Sequence, residues 1–248
     1  MSFTPVGPPG SVPHSPSGLT PTPTPPVLPG VLRSPLGLAN ALTALLGLVI
    51  AIDLLAIGAD INLYATAGTW SPDDLAAVSE AGPADGLVAL ATVLQGIGLA
   101  ATAVVFIIWF FRVRSNGEVF SPSGFDKGRG WAIGGWFIPV GNLVIPFRIA
   151  REIWTASTQR APDGSWRPAR TGIITAWWLL WILGLIVDRV ASGMYSGAEV
   201  PDAVQDSALA MTFATTLDVA AAVLAILFVR KLTSMQHRMA TEGPLAAV

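Results

Sequence analysis

The side chains of this sequence best placed to do chemistry are polar groups set in apolar surroundings. Asp53 follows the uncharged run from Leu36 to Ile52, and Asp218 is the single charge between Ser207 and Val229. Arg189 lies just past the run from Thr171 to Val187, Gln95 falls within Gly86 to Phe111, and Asn142 stands between Pro139 and Pro146. At the centre of a membrane helix a charge costs roughly 2.5–3.5 kcal/mol on insertion scales, so each needs a reason to be there. Asp218 comes eleven residues after Ser207, about 16 Å along a helix and close to a bilayer midplane. No basic residue is expected at that depth. Two roles are open: a structural carboxyl hydrogen-bonded to Gln95, or a proton or cation relay. Asp53 and Arg189 are expected at similar depth, about 6 Å inside the boundary opposite the chain termini, where an ion pair would lower both insertion costs. Asn142 offers donor and acceptor atoms. It either satisfies backbone freed by the two prolines or helps line a polar pocket, as broken helices do in transporters.

Other chemistries lack material. There is no cysteine, and the two histidines, His14 and His237, lie outside the apolar runs. Thiolate nucleophiles and Cys metal sites are excluded, and a His-based metal site or triad has almost nothing to build on. Lys127 and Lys231 sit at the edges of runs, too shallow for a Ser–Lys dyad. Gly128-Arg129-Gly130 lacks the strand and helix that a phosphate loop needs. No catalytic, cofactor-binding or metal-ligating residue is therefore assigned, and the chain reads as a non-enzyme. Net charge is −2, so nothing directs the whole chain to nucleic acid.

These residues must be positioned by elements that the composition already constrains. Of the 248 residues, 52% are hydrophobic and 12% charged, against roughly 25% charged in a soluble domain. Much of the surface is therefore not meant for water. Four runs are long enough to span a bilayer as helices, about 36–59, 86–111, 171–190 and 207–229. The run 131–147 contains Gly134, Gly135, Pro139, Gly141 and Pro146, which argues against a regular spanning helix. Charge sets the orientation. With four spans and both termini cytoplasmic, every basic residue but Arg189 lies inside, 13 of 14. A fifth span at 131–147 would leave 6 inside and 8 outside. That segment is therefore expected to be re-entrant, entering and leaving on the cytoplasmic side.

An amphipathic helix is expected at 147–158. Phe147, Ile149, Ala150, Ile153 and Trp154 share one face, and Arg148 and Arg151 lie on the other. The pattern predicts an interfacial helix whose basic face meets anionic lipid headgroups. Trp109, Trp177, Trp178 and Trp181 are expected in an inner aromatic belt. Ala44, Gly47 and Ala51 on one helix, and Gly96, Ala100 and Ala103 on another, are expected to allow close packing within the chain, with a homo-oligomer as the alternative. Residues 1–35 hold 11 of the 20 prolines and read as an extended, disordered cytoplasmic tail; 36–235 form the membrane domain, and 236–248 a second short tail.

The run Gly130-Trp131-Ala132-Ile133-Gly134-Gly135-Trp136-Phe137-Ile138-Pro139-Val140-Gly141-Asn142-Leu143, followed by Pro146-Phe147-Arg148 and Arg151-Glu152-Ile153-Trp154, resembles an actinobacterial membrane family known as domain of unknown function 4328. The resemblance takes in Trp109 to Asn116, Trp177 to Trp181 and Val229 to Thr233, and runs from roughly residue 40 to 235. It implies a multi-pass bacterial membrane protein and supplies no activity, substrate or cofactor. The expectation is an all-α integral membrane four-helix bundle in the bacterial inner membrane. Its partners are membrane lipids and a protein partner or second copy. Its function is that of a scaffold or regulator, or alternatively of a small carrier or channel subunit using Asp218 and the break at Asn142.

Overall fold

The computed structural model describes residues 31–71, 73–74, 86–165 and 167–245; side chains at 86–92, 94 and 95 are not among those described. The expected tail therefore falls mostly outside the described residues, as does the side chain of Gln95. Four long helices carry the fold: α1 (Leu36–Ala67), α2 (Gly86–Phe120), and two further ones past the broken segment. That segment consists of a single turn, α3 (Trp131–Gly134), a 3-10 turn at Gly141–Leu143, and α4 (Ile145–Ala156). Then follow α5 (Gly172–Ser196) and α6 (Pro201–Thr241). All four long helices are long and apolar enough to cross a membrane, and no strand occurs among the described residues.

α6 is the axis of the bundle, with α1 and α5 packed along it and α2 against α1. Its buried face is made largely of small residues, Ala208, Ala214, Ala221, Ala222 and Ala225, which let neighbouring backbones come close. The faces expected to do this face outward instead. Ala44, Gly47 and Ala51 are exposed, as are Gly96, Ala100 and Ala103, and a Cβ on Gly47 or Gly96 would meet nothing within 4 Å. Spacing of small residues identifies a smooth face but does not say which way it turns.

The helices also outrun the apolar runs. α6, with 41 residues, is about 60 Å long, twice the roughly 30 Å hydrocarbon core. It continues past Val229, carrying Thr233 and Gln236 into buried positions. The start of α1, the end of α2, α4 and the end of α6 meet at one end, which also holds every basic residue described except Arg189. We call this the basic end.

Candidate functional site

The basic end is built around aromatic rings. Trp109 is fully buried, and Trp177 and Trp178 nearly so. Trp177 stacks on Phe228 with centroids 5.1 Å apart, Trp109 meets the same ring edge-on at 5.6 Å, and Trp154 of α4 stacks on it at 6.1 Å. Trp136 fits among Phe106, Phe110, Trp178 and Trp181. The expected lipid-facing belt is thus an internal core, at least for Trp109, Trp177 and Trp178. The clustering of Trp along the sequence is the same for a belt and a core; only tertiary packing distinguishes them. Trp109 Nε1 donates to Thr233 Oγ1 at 3.1 Å, which gives the buried indole N–H its partner.

Around the rings runs a buried polar network that the sequence reading did not single out. The Asn116 amide brackets the backbone of Arg33: its Oδ1 accepts from the Arg33 N–H at 3.0 Å, and its Nδ2 donates to the Arg33 carbonyl at 2.8 Å. The same Nδ2 donates to Gln236 Oε1, and Gln236 Nε2 donates to the Val113 carbonyl and to Ser157 Oγ. Four segments are tied in this way: the approach to α1, the end of α2, the end of α4 and the extension of α6. Nearby, Arg114 is 1% exposed, lies 3.6 Å over the Phe125 ring, donates to the Lys127 carbonyl and pairs with Glu118, which also pairs with Arg129. The loop 121–130 is thereby folded over the end of α2. The one available signal was a run of polar residues continuing the helical period of α2 and α6 beyond their apolar parts.

The broken segment begins and ends in one part of the core. Ala132 at its start and Ile149 and Ile153 after it join one buried cluster. Pro146 lies in the first turn of α4, where its missing N–H costs nothing, so it begins a helix. Pro139-Val140-Gly141 makes a γ-turn, the Gly141 N–H donating to the Pro139 carbonyl at 2.6 Å, with Val140 at φ 61°. A β-branched residue there is strained. Gly135 is required for close approach, since a Cβ would lie 2.8 Å from both Ile145 Cγ2 and the Trp131 carbonyl oxygen. The Asn142 side chain, expected to satisfy the break or line a pocket, has no hydrogen-bond partner among the described residues. Its backbone N–H donates to the Ile138 carbonyl. The break is closed by such turns and by Trp178, whose Nε1 donates to the Leu143 carbonyl at 3.0 Å.

α4 buries its apolar face, Ile149, Ala150, Ile153 and Trp154, in the protein, so that face does not rest in lipid as expected of an interfacial helix. α4 caps the bundle. Arg148 and Arg151 point outward as expected; Arg148 lies 3.6 Å from Asp126, and Arg151 is over the Phe147 ring. Glu152, between them and the core, has a buried Oε2 without a hydrogen-bond partner among the described residues. Burial pushes its carboxyl up and the Asp126 charge adds to this, while Arg114, the Asp126 backbone N–H and Arg148 pull it back.

The acidic residues of the spans make a second, sparser group. The expected Asp53–Arg189 ion pair is not formed. Asp53 is half-buried, Arg189 is exposed, and Asp53 Oδ2 is buried with no partner among the described residues. α1 and α5 each pack along α6 rather than along each other, which keeps the two residues apart. The charge that acts on Asp53 is Asp218, and Asp188 acts on Asp218. Asp218 sits against Gly184 of α5, where an added Cβ would come within 2.5 Å of its Oδ1. No group of three or more metal-ligating side chains occurs among the described residues.

The pattern of Trp, Gly and Pro on the broken segment, now seen folded back under α2 and α5, coincides with a known family model. The domain of unknown function family DUF4328 matches residues 73–234. The chain belongs to this family. The matched region takes in α2 to most of α6 and leaves out α1, so it starts later than the resemblance read from the sequence. No curated protein and no solved structure matches the chain.

Proposed function

We propose that this DUF4328 protein is a non-catalytic scaffold or regulatory protein of the bacterial, specifically actinobacterial, inner membrane, with both termini in the cytoplasm and its basic end at the cytoplasmic surface. The observation that carries this reading is the clamp of Asn116 and Gln236 on the backbone of Arg33. It fixes Arg33, just after the proline-rich stretch, on a packed platform whose α4 also exposes Arg148 and Arg151. A proline-rich tail suits an aromatic-lined groove on a protein partner, and the arginines suit lipid headgroups. Basic residues gathered at one end support the orientation.

A second reading, a small proton- or solute-coupled carrier or channel subunit, is favoured by one observation. Asp218 acts on Asp53 and Asp188 on Asp218, and none of the three forms an ion pair among the described residues. The test is flux in proteoliposomes loaded with a proton-sensitive dye, comparing wild type with Asp218→Asn. The scaffold reading expects no protein-dependent flux in either. Flux in wild type that Asp218→Asn abolishes would replace it with the carrier.

A further inference from the structure

The basic end carries a cavity whose charges do not suit a simple anion. It is about 290 Å³, open to the surface, and lined by Gly124, Arg148, Arg151, Glu152 and Thr155. Arg148 and Arg151 are one turn apart on α4 and both exposed, an arrangement that can grip phosphate oxygens with two planar forks. Beside them, the buried Glu152 Oε2 lacks a donor among the described residues. Arg114 lies behind it and its charge acts on Glu152; its terminal nitrogens are taken by Glu118 and the Lys127 carbonyl, and its buried Nε has no partner among the described residues. Asp126 adds a second carboxylate, at 3.6 Å from Arg148. An inorganic anion here would satisfy the arginines and face Glu152; a cation would satisfy Glu152 and face the arginines. The cavity wall carries both signs of charge, so an occupant that supplies both is favoured over either alone.

The surface leading to the cavity is apolar. Val144 is one helical turn before Arg148, whose N–H donates to its carbonyl, and it is exposed. Val140 and Phe137, farther back on the broken segment, are 76% and 72% exposed. Polar cavity and apolar approach follow one another along a single stretch of chain, which is the pattern of an amphiphile.

We propose that the cavity binds a phospholipid whose headgroup ends in a primary ammonium, with phosphate on Arg148 and Arg151, ammonium on Glu152 and acyl chains along Val144 and Val140. The inference rests on the lipid-contacting part of the scaffold reading. It is tested without flux, so the two can fail separately.

The experiment is thermal unfolding of the full-length, delipidated protein in detergent, titrated with phosphatidylethanolamine, phosphatidylcholine and phosphatidylglycerol of identical acyl chains. Phosphatidylcholine keeps the positive charge and loses every N–H; phosphatidylglycerol loses the cation. The proposal expects phosphatidylethanolamine to act at about tenfold lower concentration than either, the value of one charge-assisted hydrogen bond. Glu152→Gln should erase that preference and leave the response to phosphate-bearing lipids. Arg148→Gln with Arg151→Gln should lose the response to all three. Arg148→Lys with Arg151→Lys, which keeps charge and loses the forks, should weaken it, and serves if the neutral variant does not fold. Equal response to the three lipids, or a preference that survives Glu152→Gln, overturns the proposal. Free phosphoethanolamine and inorganic phosphate form the last arm. Either one matching the lipid at equal concentration would overturn the amphiphile, leaving a soluble headgroup as ligand.

Discussion

The two halves of the bundle are held by different means. At the basic end, Trp109, Phe228, Leu232 and Gln236 are wholly or almost wholly buried, and hydrogen bonds join segments more than 75 residues apart. In the acidic half, Leu54, Leu55, Leu185, Ile186 and Phe213 are exposed large apolar residues. There the helices meet through alanines and Gly184, and neither Asp53 nor Asp218 forms an ion pair among the described residues. Lipid tails solvate apolar side chains as well as a leucine does, so hydrophobicity does not draw helices together within the bilayer. Specific packing and hydrogen bonds must do it, and this protein concentrates both at its basic end. The basic end therefore carries the hydrogen bonds that join distant segments, and the acidic half relies on close helix contact.

Substitutions should break the two halves unequally. Trp109→Ala should have the largest effect, about 3–5 kcal/mol, because it opens a cavity among packed rings and removes the partner of Thr233. Unfolding followed by circular dichroism in detergent measures it, and a loss no larger than that of a lipid-facing leucine would refute the asymmetry. Gln236→Ala should cost about 1–3 kcal/mol through groups left unsatisfied, and should speed limited proteolysis near Arg33, which is held through Asn116.

Two glycines sharpen the contrast. Gly135→Ala presses a methyl against the Trp131 carbonyl and Ile145, neither able to retreat easily, and should cost about 1–3 kcal/mol. Gly184→Ala meets only the end of the Asp218 side chain, which can swing away, and should cost under about 1 kcal/mol. Equal losses in the same unfolding assay would show the acidic half to be as tightly packed as the other.

Glu152 tests the basic end by pH. Its folded-state carboxyl is raised, chiefly by burial. Relative to the unfolded chain it therefore favours folding below the usual glutamate range, and that contribution is lost as pH rises through the raised value. Glu152→Gln should unfold at a higher temperature than wild type at neutral pH in lipid-free detergent, and the gap should close below about pH 4. A constant gap across pH would remove titration of Glu152 as its cause. The smallest effect is expected for Arg189→Gln. With Arg189 exposed and outside the ion pairs formed, the change should be within about 0.5 kcal/mol.

Much of this architecture was legible in the sequence. The lengths of the apolar runs gave four helices, the Gly and Pro content gave a broken segment between the second and third, and the 3.6-residue period gave α4 and its outward arginines. Each signal is local: a run must be long enough to cross hydrocarbon, a proline must lose a backbone donor, and an amphipathic helix must hide one side. Only tertiary structure decided the rest, because which way a face turns depends on neighbours far away in the chain. Asp53 and Arg189 stand on helices that pack along α6 rather than along each other. Trp109 and Trp178 are core instead of belt, and the alanines that pack belong to α6 instead of α1. Composition fixes how far into the membrane a residue lies. Its direction around the helix is set when packing and hydrogen bonds choose partners, here Asn116, Gln236 and the rings around Phe228.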